Sequence, residues 1–200
     1  MKRPAANGMF GRVATLLKLA RWRGIARRYF VVNGFDGALT MLGLIVGFHV
    51  SGEVELAVVI NACLGAAVAL GVSGVSSAYI SEVAEKRREL RELERAMAVE
   101  LESSAYGRAA RLLPLLIALV NGLAPLVLSL LIITPLWLAH YGVALPLTPL
   151  ETALAVAFGL IFLLGVFLGR VSGVFWLWAG LRTLLIAVAT GALVFLLTPR

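Results

Sequence analysis

Residues 29–50 read YFVVNGFDGALTMLGLIVGFHV, and this stretch decides the architecture. It is apolar for the length a helix needs to cross a bilayer core, about 20 residues. Within it stands Asp36, the only aspartate in the chain. A carboxylate at that depth costs about 2.5–3.5 kcal/mol on insertion scales unless a cation, a proton or a polar cavity meets it. Asp36 is therefore the first residue to which a function is assigned.

The rest of the 200 residues repeats the apolar theme. Hydrophobic residues make up 60% and charged residues 14%, with mean hydropathy +0.95, whereas soluble domains carry about 25% charged residues. Five stretches are long enough to span: 29–50, 56–80, 112–138, 150–168 and 176–197. No barrel-like alternation occurs, and lipid offers backbone polar groups no partner, so all five are expected as helices. The fold class is thus an all-α membrane protein, five transmembrane helices with a charged cytoplasmic helix extending from the second.

The net charge of +7 is unevenly placed. Basic residues crowd segment 1–28 and the segment between Lys86 and Arg111, and none occurs in 51–55 or 139–149. The positive-inside rule then puts the N-terminus and segment 82–111 in the cytoplasm, and the C-terminus outside. The basic excess reads as topology and attraction to anionic membrane lipids, with no nucleic-acid partner. No cleavable signal peptide is evident, because Lys18 interrupts the short apolar run 13–17. Val13, Leu16, Leu17 and Ala20 recur at helical spacing, which fits either a short interfacial helix or a plain basic tail. Without organelle targeting cues, a prokaryotic-type plasma membrane is expected.

At about 100° per residue, Asn33, Asp36, Thr40 and Gly43 share one face of the first span. Gly34, Gly37, Gly43 and Gly47, with the small-residue run from Gly65 to Gly74 in the second span, are expected to let helices approach closely. The third span carries Pro114, Pro125 and Pro135, which free carbonyls that neighbours or a cation must satisfy. Asn121 beside Pro125 joins the pathway candidates on that ground. Segment 140–149 reads as an outer turn and 169–173 as a tight inner one. Trp137, Trp176 and Trp178 fit interfacial anchors. Cys63 stands alone, so no intramolecular disulfide is expected.

After the second span, SEVAEKRRELRELERAMAVELESSAY (residues 81–106) changes to charged, helix-favouring residues. It is expected to continue as one helix, with the cytoplasmic helical segment reaching 111. On a helical wheel Glu82, Glu85, Glu89, Glu92 and Glu100 group together, with Arg87, Arg88, Arg91 and Arg95 opposite. Either a cation or a basic partner relieves the acidic face, or the intrahelical pairs Glu82–Lys86 and Arg88–Glu92 keep it solvated. Val83, Leu90 and Met97, with Leu93 and Leu101 beside them, suggest an apolar seam against another helix.

With those residues in hand, the chain resembles the vacuolar iron transporter family of Fe(II)/Mn(II) transporters. Segment 33–44, NGFDGALTMLGL, is similar to that family's N-D-G-L-x-T-x-x-G-L opening span. Segment 73–81 looks like the end of its second span around G-E-Y-x-S, with Tyr79 and Ser81 matching. Segment 180–186, GLRTLLI, looks like its G-L-R-x-L-L-I run. The resemblance implies a homodimer whose first-span aspartate, here Asp36, lines the cation path. It further implies that cytoplasmic glutamates, here Glu82, Glu85, Glu89, Glu92 and Glu100, gather the metal. Where the family's second span often presents a methionine and a glutamate, this chain has Gly74 and Ala78. Met41 is the sulfur left on the first span, and it projects about 140° from Asp36.

The expected activity is therefore export of a divalent transition metal, Fe2+ or Mn2+, in exchange for protons, with no permanently bound cofactor. Pathway candidates are Asp36, Asn33, Thr40, Met41, Ser73 and Asn121. Oxygen donors suit Mg, Mn and Ca and tolerate Fe(II), whereas copper or zinc would ask for more histidine and cysteine. His49 and His140 fall at the outer ends of spans. A second class is a non-transporting membrane scaffold or metal-sensing partner that docks through helix 82–102. A third is an intramembrane serine protease built on Gly71-Val72-Ser73-Gly74, which needs a histidine near Ser73.

Overall fold

The computed structural model describes residues 22–52 and 54–198. The segment 13–20, weighed above as an interfacial helix, lies outside them. Five α-helices follow one another: α1 Trp22–Val50, α2 Leu56–Met97, α3 Ala105–His140, α4 Pro149–Ser172 and α5 Trp176–Leu197. All five are long and apolar enough to cross a membrane, and no strand occurs among the described residues. The chain is a multi-pass helical membrane protein.

Long α3 is the spine. It packs most extensively against α2 and then α1, and it also touches α4. Helix α5 packs on α4 and α1, while α2 touches only α3 and α1. Helices α2, α3, α4 and α5 therefore form an arc, with α1 lying against all four. Helices α2 and α5 make no contact with each other, so the arc is open on one side.

Small residues set the crossings, because helices in lipid gain from close van der Waals approach rather than from expelling water. At the α2–α3 crossing, a Cβ on Gly122 would lie 2.4 Å from the Gly71 carbonyl, and one on Gly74 would lie 2.9 Å from Gly122 Cα. On α1, a Cβ at Gly37 would meet the Pro125 backbone at 2.6 Å. The α4–α5 pair repeats the device, with Gly165 against Thr183 and Gly169 against Ala179. A buried apolar cluster from Ala38, Met41, Leu42 and Ile45 of α1 through Cys63 and Ala67 to Ile132, Ile133, Ala157 and Ile161 fills the space between these contacts.

The helix ends differ from the sequence expectation in several places. The charged segment is not one helix to residue 106: α2 stops at Met97, Ala98 takes a left-handed conformation at φ 50°, and the chain reverses through 98–104. The reversal is built locally, for Glu94 Oε1 accepts the Leu101 N–H at 2.8 Å and the Ser104 hydroxyl accepts the Gly107 N–H at 3.1 Å. Ser104 is thus an N-cap, and residues 105–111 belong to α3. The third span's helix begins well before residue 112 and the first before residue 29. At the α4–α5 turn, helix persists to Ser172 and Gly173 supplies the positive φ of 70° that closes it.

The crossings make a direct prediction. Gly122→Ala is expected to destabilise the protein by about 1–3 kcal/mol through overpacking. Gly65→Ala, where a Cβ meets nothing within 4 Å, is expected to be neutral or to stabilise by up to about 1 kcal/mol. Reversible unfolding in mixed micelles compares the two.

Candidate functional site

A polar tie joins three helices inside the bundle. Asn33 of α1 donates from Nδ2 to its own helix at the Tyr29 carbonyl, 3.0 Å away, and to Asn121 Oδ1 of α3 in a short hydrogen bond. Buried Asn121 in turn donates from Nδ2 to the Gly74 carbonyl of α2 at 2.8 Å. Pro125 has no N–H to give the Asn121 backbone carbonyl. That carbonyl would lie 3.1 Å from a Cβ on Gly74, so α2 closes on the opened turn. A Cβ there would also lie 2.9 Å from Gly122 Cα, so a bulkier residue at position 74, including the methionine that the family resemblance sets there, would require α2 and α3 to move apart. Ala78 is buried as well.

Near the basic end of the bundle, the Tyr29 hydroxyl donates to Glu82 Oε1 at 2.7 Å, linking α1 to α2. These two helices touch least of all the pairs in contact, and this bond is the side-chain hydrogen bond described between them. Tyr29 lies seven residues before Asp36, about 10 Å along the axis and on nearly the same face.

Asp36 itself is exposed in the single protomer. Among the described residues no side chain bonds its carboxylate, and the ion pairs lie elsewhere. Thr40 sits one turn further on and spends its hydroxyl on the Asp36 backbone carbonyl at 2.6 Å. A Cβ on Gly43 would meet only Val194 of α5 at 3.8 Å, and one on Gly47 nothing within 4 Å. Val32 and Asp36 are exposed and Thr40 and Gly47 half-buried on the side of α1 that faces the opening of the arc, while Val31, Ala38, Met41 and Ile45 are buried.

The structure brings Asn33 and Asn121 together and sets Asp36 and Thr40 beside them on α1. Met41 is fully buried in the apolar cluster and stands apart from this face. Ser73 is exposed on α2, next to the tied Gly74. It lies 17 residues after the start of α2, about 25 Å along the helix, whereas exposed His49 and His140 sit at the far ends of α1 and α3. No described contact brings a histidine to Ser73.

The glutamates are dispersed. Glu82 is held by Tyr29 and not by Lys86, which pairs with Glu89 at 2.6 Å. Arg88 pairs with Glu92 at 2.9 Å, as helical spacing suggests. Glu85 is exposed. Glu100 does not share their helical face, because it lies in the reversal after α2 has ended. Among the described residues no three His, Cys, Asp or Glu side chains stand close enough to hold one metal ion.

Two participants escaped the sequence reading. Tyr29 carried a usable signal, since it extends the Asn33 and Asp36 stripe by one turn. Glu94, the cap of the reversal, carried none, because its partner is a backbone N–H. Trp176 and Trp178 are exposed near the start of α5, with the Arg170 and Arg182 guanidinium groups over their rings at 5.8 and 5.5 Å. That arrangement suits interfacial anchoring.

Comparison with known proteins adds one likeness. The chain is 28% identical over 173 residues to an uncharacterized protein of Methanocaldococcus jannaschii, covering 85% of this chain and 87% of the archaeal one. No protein-family model matches, and no solved structure matches.

The asparagine tie is testable on its own. A double-mutant cycle on Asn33→Ala and Asn121→Ala is expected to give a coupling of about 0.6–1.7 kcal/mol, the range for hydrogen bonds between membrane helices. Additive losses would mean that the two amides do not act together.

Proposed function

We propose that the chain is a divalent-cation transporter that exports Fe2+ or Mn2+ from the cytoplasm in exchange for protons, acting as a homodimer. The observation that carries this reading is the position of Asp36, a carboxylate on the uncovered face of α1 with no counter-ion among the described residues. Left against hydrocarbon it would cost about 2.5–3.5 kcal/mol. A second copy laid against the same face removes that cost by enclosing a crevice, and C2 symmetry then sets two Asp36 side chains toward one path.

In such a crevice the two carboxylates are stable when a cation or protons neutralise them. Cation release and proton uptake are therefore alternatives at one site, which is the physical basis of exchange. Asn33 and Thr40 border the face with amide and hydroxyl groups. The Asn121 backbone carbonyl, which Pro125 deprives of its i+4 N–H donor, contributes to the local field. Oxygen donors of this kind favour Mn2+ and accept Fe2+. The close packing of Gly74 against α3 disfavours a thioether there, which supports a harder donor set. The likeness of segment 33–44 to the opening span of the vacuolar iron transporter family points the same way. In this reading the N-terminus and the α2–α3 connection are cytoplasmic, the C-terminus is outside, and the membrane is the plasma membrane.

A second reading, a non-transporting scaffold, draws on the pairing of Glu89 with Lys86 and of Glu92 with Arg88 within α2, and on the absence of a ready metal cluster among the described residues. Flux separates the two. In proteoliposomes, Asp36→Asn is expected to cut Mn2+ flux at least tenfold, equivalent to about 1.4 kcal/mol, while Asp36→Glu keeps part of it. Wild-type protein that moves no Mn2+ or Fe2+ and gains no thermal stability from either would favour the scaffold. Flux untouched by Asp36→Asn would remove Asp36 from the path.

A further inference from the structure

A cavity of about 380 Å³ opens where α2 leaves the bundle beside the start of α3, lined by Arg87, Leu90, Arg91, Glu94, Glu102 and Arg111. Three guanidinium groups from two helices share its wall. Arg87 and Arg91 are like charges at i, i+4 spacing, which by itself disfavours the helix. None of the three is in an ion pair, for the pairs among the described residues are Lys86–Glu89 and Arg88–Glu92. Arg111 is aimed by its own backbone bonds, donating from Nη2 to the Glu102 carbonyl at 2.6 Å and from Nε to the Gly107 carbonyl at 3.4 Å. Glu94 is already engaged, since one of its oxygens caps the Leu101 N–H.

We propose that this cavity binds the phosphate of a membrane-lipid headgroup through Arg87, Arg91 and Arg111. Three arginines against two glutamates leave one net positive charge, which matches a phosphodiester better than the higher charge of free phosphate. Guanidinium forks suit phosphate oxygens geometrically, and Leu90 supplies an apolar wall. The depth also fits. Arg111 immediately precedes the apolar stretch 112–138, which sets it at the headgroup boundary. Basic pockets between spanning helices on the side favoured by positive charge are suited to anionic lipid. This site is separate from the Asp36 face and does not depend on metal transport.

Native mass spectrometry of the full chain, titrated with phosphatidylglycerol or phosphatidylcholine in detergent, tests the assignment. Phosphatidylglycerol is expected to bind more tightly, and Arg87→Gln and Arg91→Gln to weaken it about fivefold each. Arg88→Gln, whose guanidinium is paired with Glu92, is expected to change it less than twofold. Arg87 and Arg91 are chosen because no described hydrogen bond depends on them, so their loss leaves the hairpin intact. Inorganic phosphate is the second arm: failure to compete assigns the site to lipid, and full competition at equal concentration would overturn the lipid assignment. Equal losses for Arg87→Gln and Arg88→Gln, or no preference between the two lipids, would overturn the site itself.

Discussion

The rotation of α1 about its own axis rests on one amide. Asn33 is tied to Asn121, and Asn121 to the Gly74 carbonyl, so three helices are pinned at a single level. In lipid the buried Asn121 side chain would otherwise lack a partner, so the tie favours this one rotation. Asp36 comes three residues later, about 60° around the helix from Asn33. With Asn33 turned to α3, Asp36 falls outside the packed sector. The carboxylate is thus held in the opening between α2 and α5 by a hydrogen bond it does not itself make.

The same level carries the tightest packing. Pro125 opens the α3 ladder at Asn121, Gly37 rests on the Pro125 backbone, and Gly74 and Gly122 bring α2 within contact of α3. Polar tie and small-residue crossing reinforce one another, since the amide bonds require backbones this close. Toward the basic end, Tyr29 and Glu82 bond α1 to α2. Toward the far end the apolar cluster around Met41, Ile45 and Ile132 takes over. The transport proposal uses the difference between these zones, with a rigid packed flank on one side of α1 and an uncovered polar face on the other.

Much of this was legible in the amino-acid order. The five helices follow from apolar length, and the shared face of Asn33, Asp36 and Thr40 follows from helical spacing alone. Small residues marked the crossings, though not which crossing each serves: Gly34, Gly37, Gly71 and Gly74 meet neighbours, while Gly47 and Gly65 meet none. What stayed hidden was tertiary. Helical propensity runs on past Met97, and only the caps from Glu94 and Ser104 end α2 there and start α3. The acidic face requires a continuous helix, and Glu100 leaves it because α2 ends at Met97. Glu82 finds its partner 53 residues away, a pairing that no local pattern encodes.

The central claim is that Asp36 borders a hydrated crevice. Replacing Asp36 with cysteine in a Cys63→Ala background, in sealed vesicles, exposes the claim to a charged, membrane-impermeant thiol reagent. The account predicts that the thiol reacts, and that a second Cys63→Ala protein with cysteine at Val31, which is buried, does not. Modification of the residue-36 thiol only by reagents that partition into lipid would place this side chain against hydrocarbon and contradict the account.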